Sequence, residues 1–388
     1  MESPKVTILL PCLNARPFLE ERVESILAQG FSDWEAIVLD SYSDDGSWEY
    51  FRSVASQDSR FRLFQIPRDG LYAALNRGIA LAEGQFLHIA TCDDTMRPNL
   101  LEELLDAFDL YPQAGIAACD LSLITTSGTE LTALDMEEYL PRKSIDNMLS
   151  LDRVRSYPLN DQPNYRRPPH DCILHFLAKS VYFSLTQLLI RITVARSIGP
   201  FAVDVGSPAD IGWLQRLTNI AGTIHIPKKL TSWRFHSPHQ ICVRPNPRGV
   251  LNIKKMFDEA MTEICTRHQP LLDANQCAML MLPVRAHLAR SLIVRLWLFF
   301  ETYLRLLCLF LNRPTATRRA IDRTHFRVLT LKETLIPMLI SRMNLAPEKL
   351  APKERRRSVH VAASCCATCD HLHSASRGNT AVAVPLGK

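Results

Sequence analysis

The stretch that decides the fold begins Val6-Thr-Ile-Leu-Leu-Pro-Cys-Leu-Asn14 and ends Trp34-Glu-Ala-Ile-Val-Leu-Asp40. Residues 6–10 are a short β-branched and apolar run that Pro11 ends, and residues 34–39 repeat that pattern up to Asp40. Between them, residues 17–29 start on Pro17 and place Leu19, Val23, Ile26 and Leu27 on one helical face. Gly30 stops that helix. The alternation continues with a helix over 45–55, a strand over 61–66, a helix over 71–82 closed by Gly84, and a strand over 85–90. That strand runs into Cys92-Asp93-Asp94, and a further helix spans 98–108. Strands and helices in strict alternation predict an α/β fold, with a Rossmann-like, mostly parallel sheet flanked by helices.

Carboxylates cluster immediately after the expected strands: Asp40, Asp44 and Asp45 after the second, Asp69 after the third, Asp93 and Asp94 after the fourth. Open α/β sheets bind ligands beyond the carboxyl ends of their strands. A helix cap accounts for Asp45 or Asp69 taken alone. So many carboxylates at one edge repel one another, and this predicts a bound cation.

Composition agrees with a folded protein: 388 residues, 47% hydrophobic and 22% charged, which excludes a disordered chain and a polytopic membrane protein. The formal charge of +5 conceals an asymmetry. Residues 1–120 carry nine Lys/Arg against twenty Asp/Glu, whereas residues 285–357 carry sixteen against five. A cation site is expected near the front and an anionic partner at the rear. The eleven cysteines are too scattered for a disulfide scaffold, and Met1-Glu2-Ser3-Pro4-Lys5 leads straight into a strand without a signal peptide. Reduced thiols and a cytoplasmic location are therefore expected. The cluster Cys365, Cys366, Cys369, His371 and His373 lacks a second cysteine pair at finger spacing and reads as an incidental tail rather than a zinc site.

Residues 135–172 are rich in Pro, Arg and Asp and read as an irregular insertion. Residues 183–192 are apolar, a helix is expected over 211–218 and a strand over 222–226, and the first domain is expected to end near 245. Its halves are 1–120 and 121–245, the second containing the insertion 135–172. A helical region over 246–345 and a disordered tail over 346–388 follow. Residues 291–311 form a strongly apolar helix interrupted by Arg295, Glu301 and Arg305, which favours lying in a membrane interface over spanning it. Core packing is the alternative. Arg313, Arg318, Arg319, Arg323 and Arg327 extend this surface, so residues 285–327 are expected to contact anionic lipid at the inner face of the plasma membrane. No nucleic acid is expected, because aromatic residues do not interleave with these charges.

Taken in order, six segments resemble glycosyltransferase family 2, with its GT-A fold. Val6–Asn14 resembles the family's opening strand. Asp40-Ser-Tyr-Ser-Asp-Asp-Gly-Ser47 is similar to its D-G-G-S-T-D-G-T segment, and Asp69 to Gly84 to its D-x-G-x-x-x-A-x-N-x-G-x-x-x-A-x-G segment. Cys92-Asp93-Asp94 stands at the metal-binding D-x-D-type signature. Ile198-Gly-Pro-Phe201 with Ala209-Asp210 and Trp213 to Leu217 resembles G-x-F-x(n)-E-D-x-D-L-W-x-R-L, and Trp233-Arg-Phe-His236 the late Y-R-x-H motif. The likeness covers residues 5 to about 240 and implies that 1–120 is a nucleotide-binding half and 121–245 an acceptor half.

The resemblance implies an inverting enzyme that moves a sugar from a nucleotide-sugar to a hydroxyl of a glycan or lipid-linked acceptor, in cell-envelope or exopolysaccharide synthesis, with Mn²⁺ or Mg²⁺. It implies that Asp94 is the direct metal ligand and that Asp93 contacts the ribose or sugar. Asp40 would accept hydrogen bonds from the base, and the Pro11–Asn14 turn would shape the nucleotide pocket. Asp69 and Asn76 would border the donor and Arg77 would meet its phosphates, although plain helix surface explains Asn76 and Arg77 about as well. His236 would line the metal or diphosphate, and Arg191 stands at a basic family position. Asp210 would be the general base, with helix capping a compatible second role. Ala209 departs from the pattern, which has Glu there. That leaves open a degenerate protein that binds nucleotide-sugar for assembly. A nucleotidyltransferase is a third reading, lacking a basic glycine-rich loop after the first strand.

Overall fold

The computed structural model describes residues 3–131, 162–178, 182, 184–206, 208–235, 247–268, 341 and 343–350. The segment 285–327, the cluster 365–373, His236 and the tail beyond 351 lie outside them, as does the apolar helix expected over 291–311. No helix among the described residues is long and apolar enough to cross a membrane.

The front of the chain folds in the expected alternation. β1 (Val6–Cys12), α1 (Leu19–Leu27), β2 (Trp34–Asp40), α2 (Ser47–Gln57), β3 (Phe61–Gln65), α3 (Leu71–Leu81) and β4 (Phe86–Ile89) come first. A two-residue strand, β5 (Thr95–Met96), precedes α4 (Leu100–Leu110) and β6 (Ile116–Ile124). β7 (Asn164–Arg166) and α5 (His170–Ala178) follow, then β8 (Leu188–Arg191), α6 (Ile192–Ser197), α7 (Ala209–Ile220), β9 (Thr223–Arg234), α8 (Pro247–Arg267) and β10 (Glu348–Lys349).

The sheet order is β10-β7-β9-β6-β8-β4-β1-β2-β3, with β5 paired to β9. β3, β2, β1 and β4 are parallel neighbours; β8 is inserted antiparallel between β4 and β6; and β9 is parallel to β6. The period-2 alternation of each strand splits the core between the two faces. On one face Val6, Ile8 and Leu10 of β1 pack with Leu19, Val23 and Ile26 of α1, Phe51 of α2 and Leu104 and Phe108 of α4. On the other, Leu9, Ile37 and Leu39 pack with Leu75 and Ile79 of α3 and with Trp213 and Leu217 of α7. Gly78 lets α3 lie close to this face: a Cβ there would come within 2.7 Å of Leu39 Cδ1.

Three expectations are corrected. The end of the 135–172 insertion is regular: Tyr165 is buried in β7, which pairs antiparallel with β9, and α5 starts at His170. An internal ion pair drives this order, because buried Arg166 donates to both oxygens of buried Asp171 at 2.6 and 3.0 Å. The short strand expected over 222–226 runs on to Arg234. Among the described cysteines, Cys12, Cys92, Cys119 and Cys172 are free as expected, but Cys265 is disulfide-bonded.

Candidate active site

The carboxyl ends of β1, β2, β4 and β9 meet at one edge. The β1–β2 register pairs Cys12 with Asp40, so the loop after β1 and the loop after β2 start side by side. Asn14 ties them together. Its backbone N–H donates to Ser43 Oγ at 2.9 Å, its amide Nδ2 donates to Asp44 Oδ1 at 2.9 Å, and its Oδ1 accepts from the Asp44 N–H at 3.0 Å. Asn14 sits at φ +52°, a left-handed conformation that Asn tolerates. Pro11 lies just below, its carbonyl accepting from the Cys92 thiol at 3.3 Å. The Cys12 thiol lies 3.9 Å from Ser43 Oγ, so the ends of β1 and β4 and the loop after β2 are tied together where they leave the sheet.

Asp40 is fully buried. Its Oδ2 accepts from the Ser43 N–H at 3.1 Å, while its Oδ1 has no hydrogen-bond partner. A buried acceptor left unmet costs roughly 1–3 kcal/mol. Arg68 stitches the same loop, donating from Nε to the Ser41 carbonyl at 3.0 Å and from Nη2 to the Tyr42 carbonyl.

The pair after β4 divides its labour. Asp94 is buried, its Oδ1 accepting the Arg234 N–H at 2.8 Å and its Oδ2 the Thr91 hydroxyl at 2.5 Å. Burial, reinforced by the neighbouring charge of Asp93, pushes Asp94 up to about 7. Both oxygens of the expected direct metal ligand are thus engaged as an anchor between β4 and β9. Asp93 is only half buried, and its carbonyl accepts from Arg234 Nε at 2.7 Å. Arg234 also donates to the carbonyls of Thr125 and Thr126 at 2.9 Å, pairs with Glu21, and packs over Phe18. It organises the whole edge, yet only the motif around it pointed to it in the sequence. Beneath lies Arg22, fully buried with none of its guanidinium nitrogens hydrogen-bonded. Burial lowers its pKa while the charges of Asp94 and Asp93 raise it, which makes it an internal countercharge. An isolated Arg within an amphipathic helix carries no sequence signal of burial.

The remaining expected residues separate into two groups. Asn76 does not face open space. Its Nδ2 donates to the Phe201 carbonyl at 3.0 Å and its Oδ1 accepts the Phe201 N–H at 2.8 Å, which clamps α3 to the turn before α7. Arg191 is likewise structural, donating to the carbonyls of Ala114 and Pro112 and packing over Phe108. Asp69 and Arg77 are exposed enough to meet a ligand and are paired at 2.6 Å. Asp210, in the first turn of α7, is half buried, and burial raises it to about 6. Its Oδ1 accepts from the Ile211 N–H at 2.6 Å, and Tyr72 at the start of α3 bonds its backbone. Ala209 beside it is fully buried. Among the described residues no three His, Cys, Asp or Glu side chains converge on one point.

Residues 7–150 match the family model for glycosyl transferase family 2. This region belongs to that family. The family 2 region is 33% identical over 116 residues to the glycosyltransferase EpsJ of Bacillus subtilis, a match covering 30% of this chain and 33% of EpsJ. It is 28% identical over 129 residues to the teichuronic acid biosynthesis glycosyltransferase TuaG of the same organism, covering 33% of this chain and 51% of TuaG. A glycosyltransferase of Haemophilus influenzae is 27% identical over 206 residues, or 50% of this chain and 81% of the relative. The chain thus spans between a third and a half of EpsJ and TuaG. In three dimensions it is similar to residues 1–349 of S. aureus TarS, solved with UDP-GlcNAc. The TM-score is 0.54 at 12% identity, over 74% of this chain and 73% of TarS 1–349. That likeness shows the fold, which is GT-A.

Proposed function

We propose that the chain is an inverting glycosyltransferase that moves a sugar from a nucleoside-diphosphate sugar to a hydroxyl of a glycan or lipid-linked acceptor during polysaccharide synthesis. One observation carries the reading: the sheet edge offers a buried carboxylate oxygen without a partner, at Asp40, near the Asp93–Asp94 pair. The family 2 relatives and a TarS complex with UDP-GlcNAc support a donor of this class.

Asp40 Oδ1 accepts an N–H of the base. Asp69 and Arg77 border the donor, with the Arg77 guanidinium turned toward its phosphates. The donor set at Asp93 and Asp94 is hard oxygen, which fits Mn²⁺ or Mg²⁺; such ions take one or two carboxylates plus phosphate oxygens. Because Asp94 is engaged by Arg234 and Thr91, we assign the metal-facing role to Asp93 and the anchoring role to Asp94, the reverse of the expectation from sequence. His236 remains a candidate for the same region. When bound, the cation neutralises charge on the departing diphosphate. Asp210 takes the proton of the acceptor hydroxyl. The hydroxyl oxygen then attacks the anomeric carbon from the face opposite the leaving group, and the bond to the diphosphate breaks. Burial of Asp210 raises its proton affinity toward what a general base at neutral pH needs.

The test is release of nucleoside diphosphate from a panel of nucleotide-sugars by the wild type, Asp93→Ala and Asp210→Asn. Full turnover by both variants with metal stripped removes the mechanism. Buried Ala209, in place of the family's Glu, favours a binding module instead; nucleotide binding without turnover of any donor would establish that. Release of pyrophosphate would point to nucleotidyl transfer.

A further inference from the structure

Tyr42 is the one residue of the loop after β2 whose conformation and exposure nothing above explains. It follows Asp40 by two positions and has φ +53°, in the left-handed region that a bulky L-residue rarely enters. At this position the family segment D-G-G-S-T-D-G-T carries glycine, which adopts such backbone freely. The chain therefore holds a strained tyrosine where a relaxed glycine would serve the turn. Strain of this kind persists only where neighbouring contacts over-determine it, and it clusters at ligand clamps. The contacts are present: Arg68 holds the carbonyls of Ser41 and Tyr42, Ser43 donates to Asp40, and Asp44 is locked to Asn14.

The tyrosine is also 54% exposed, although large aromatic rings are usually covered. Leu13 is 52% exposed on the adjacent loop, one residue beyond the Cys12–Asp40 pair. Tyr42 and Leu13 thus stand exposed on the two loops that leave the sheet side by side at the Cys12–Asp40 pair. A nucleobase has an N–H on its edge and two flat faces, so the carboxylate serves the edge and an aromatic ring serves a face.

We infer that Tyr42 is the surface on which the donor's nucleobase stacks, a substrate-binding residue. The inference rests on the donor reading above. Stacking tolerates any base, so Tyr42 supplies affinity for the base face and Asp40 discriminates at its edge.

Titration calorimetry with the full chain and Mn²⁺ tests it, using UDP, GDP, dTDP, ADP and CDP as probes and inorganic pyrophosphate as a probe without a base. Tyr42→Gly is expected to weaken the best nucleoside diphosphate at least about fivefold, the low end of what loss of one stacked aromatic removes. Tyr42→Phe is expected to stay within about twofold. Pyrophosphate is expected to bind all three proteins alike, and Tyr42→Gly, relieved of strain, is expected to melt no lower than the wild type. Equal nucleotide affinity in wild type and Tyr42→Gly overturns the inference while leaving the donor reading intact. A parallel loss of pyrophosphate binding together with a lower melting temperature also overturns it, since Tyr42 would then be structural. Failure of the wild type to bind any nucleoside diphosphate refutes the donor reading and the inference with it.

Discussion

At the scale of single residues, the two neighbouring aspartates after β4 are chemically identical and structurally unlike. Asp94 spends both oxygens on Arg234 and Thr91, whereas Asp93 is half buried beside it. Replacing Asp94 by Ala strands the Arg234 N–H and the Thr91 hydroxyl, each at roughly 1–3 kcal/mol. Denaturant titration should therefore show Asp94→Ala less stable by about 2–4 kcal/mol. Asp93→Ala should lose its dependence on added Mn²⁺. Retained Mn²⁺ dependence in Asp93→Ala would reject the division of labour. The sign of the Asp210 effect follows from its raised pKa. As the proposed general base it works deprotonated, so kcat/KM should rise with pH through a midpoint near 6 and level off above. That limb should vanish in Asp210→Asn, leaving a low, flat profile. The sequence presented Asp93, Asp94 and Asp210 as candidates by position alone. Which carboxylate faces out depends on Arg234, 140 residues from Asp94.

At the scale of elements, β1, β2, β3 and β4 and the helices between them were legible because their apolar periodicities are local. β5 was not, since two residues carry no period and Thr95–Met96 is a strand only because β9 pairs with it. The regular β7 and α5 were hidden by Pro-rich composition, and the Arg166–Asp171 pair that orders them cannot be inferred from residue type. Asn76 makes the same point: its helical position is readable, but its amide serves Phe201, 125 residues away. Asn76→Ala should loosen α3 from the turn before α7, lowering stability by roughly 1–3 kcal/mol. It should also raise the acceptor KM more than the donor KM, because Asp210 follows that turn; kinetics against both substrates checks this. Gly84 marks another fixed junction, where a Cβ would meet the Thr7 backbone nitrogen at 2.5 Å. Gly84→Ala should destabilise by about 1–3 kcal/mol in thermal or denaturant melts.

At the scale of the whole molecule, the acidic first 120 residues have a place: Asp40, Asp69, Asp93 and Asp94 follow the carboxyl ends of parallel strands, where the proposed cation and donor diphosphate would meet. The basic rear, residues 285–357, lies almost entirely outside the described residues, and its contact with an anionic membrane is a proposal built on its charge. It predicts that replacing Arg318, Arg319, Arg323 and Arg327 together by Gln weakens cosedimentation with phosphatidylserine liposomes at least tenfold. Each basic residue near such a surface contributes about 1 kcal/mol. Unchanged partitioning would remove the proposal. By itself the sequence determined the alternation of strands and helices, the family resemblance, and the placing of carboxylates just past strand ends, because all three are written in short-range spacing. The tertiary structure alone decided which aspartate is an anchor, that Arg22 is a buried countercharge, and that Tyr42 stands strained and bare beside Asp40. Those depend on burial and on hydrogen-bond partners far away in the chain, and no local pattern encodes them.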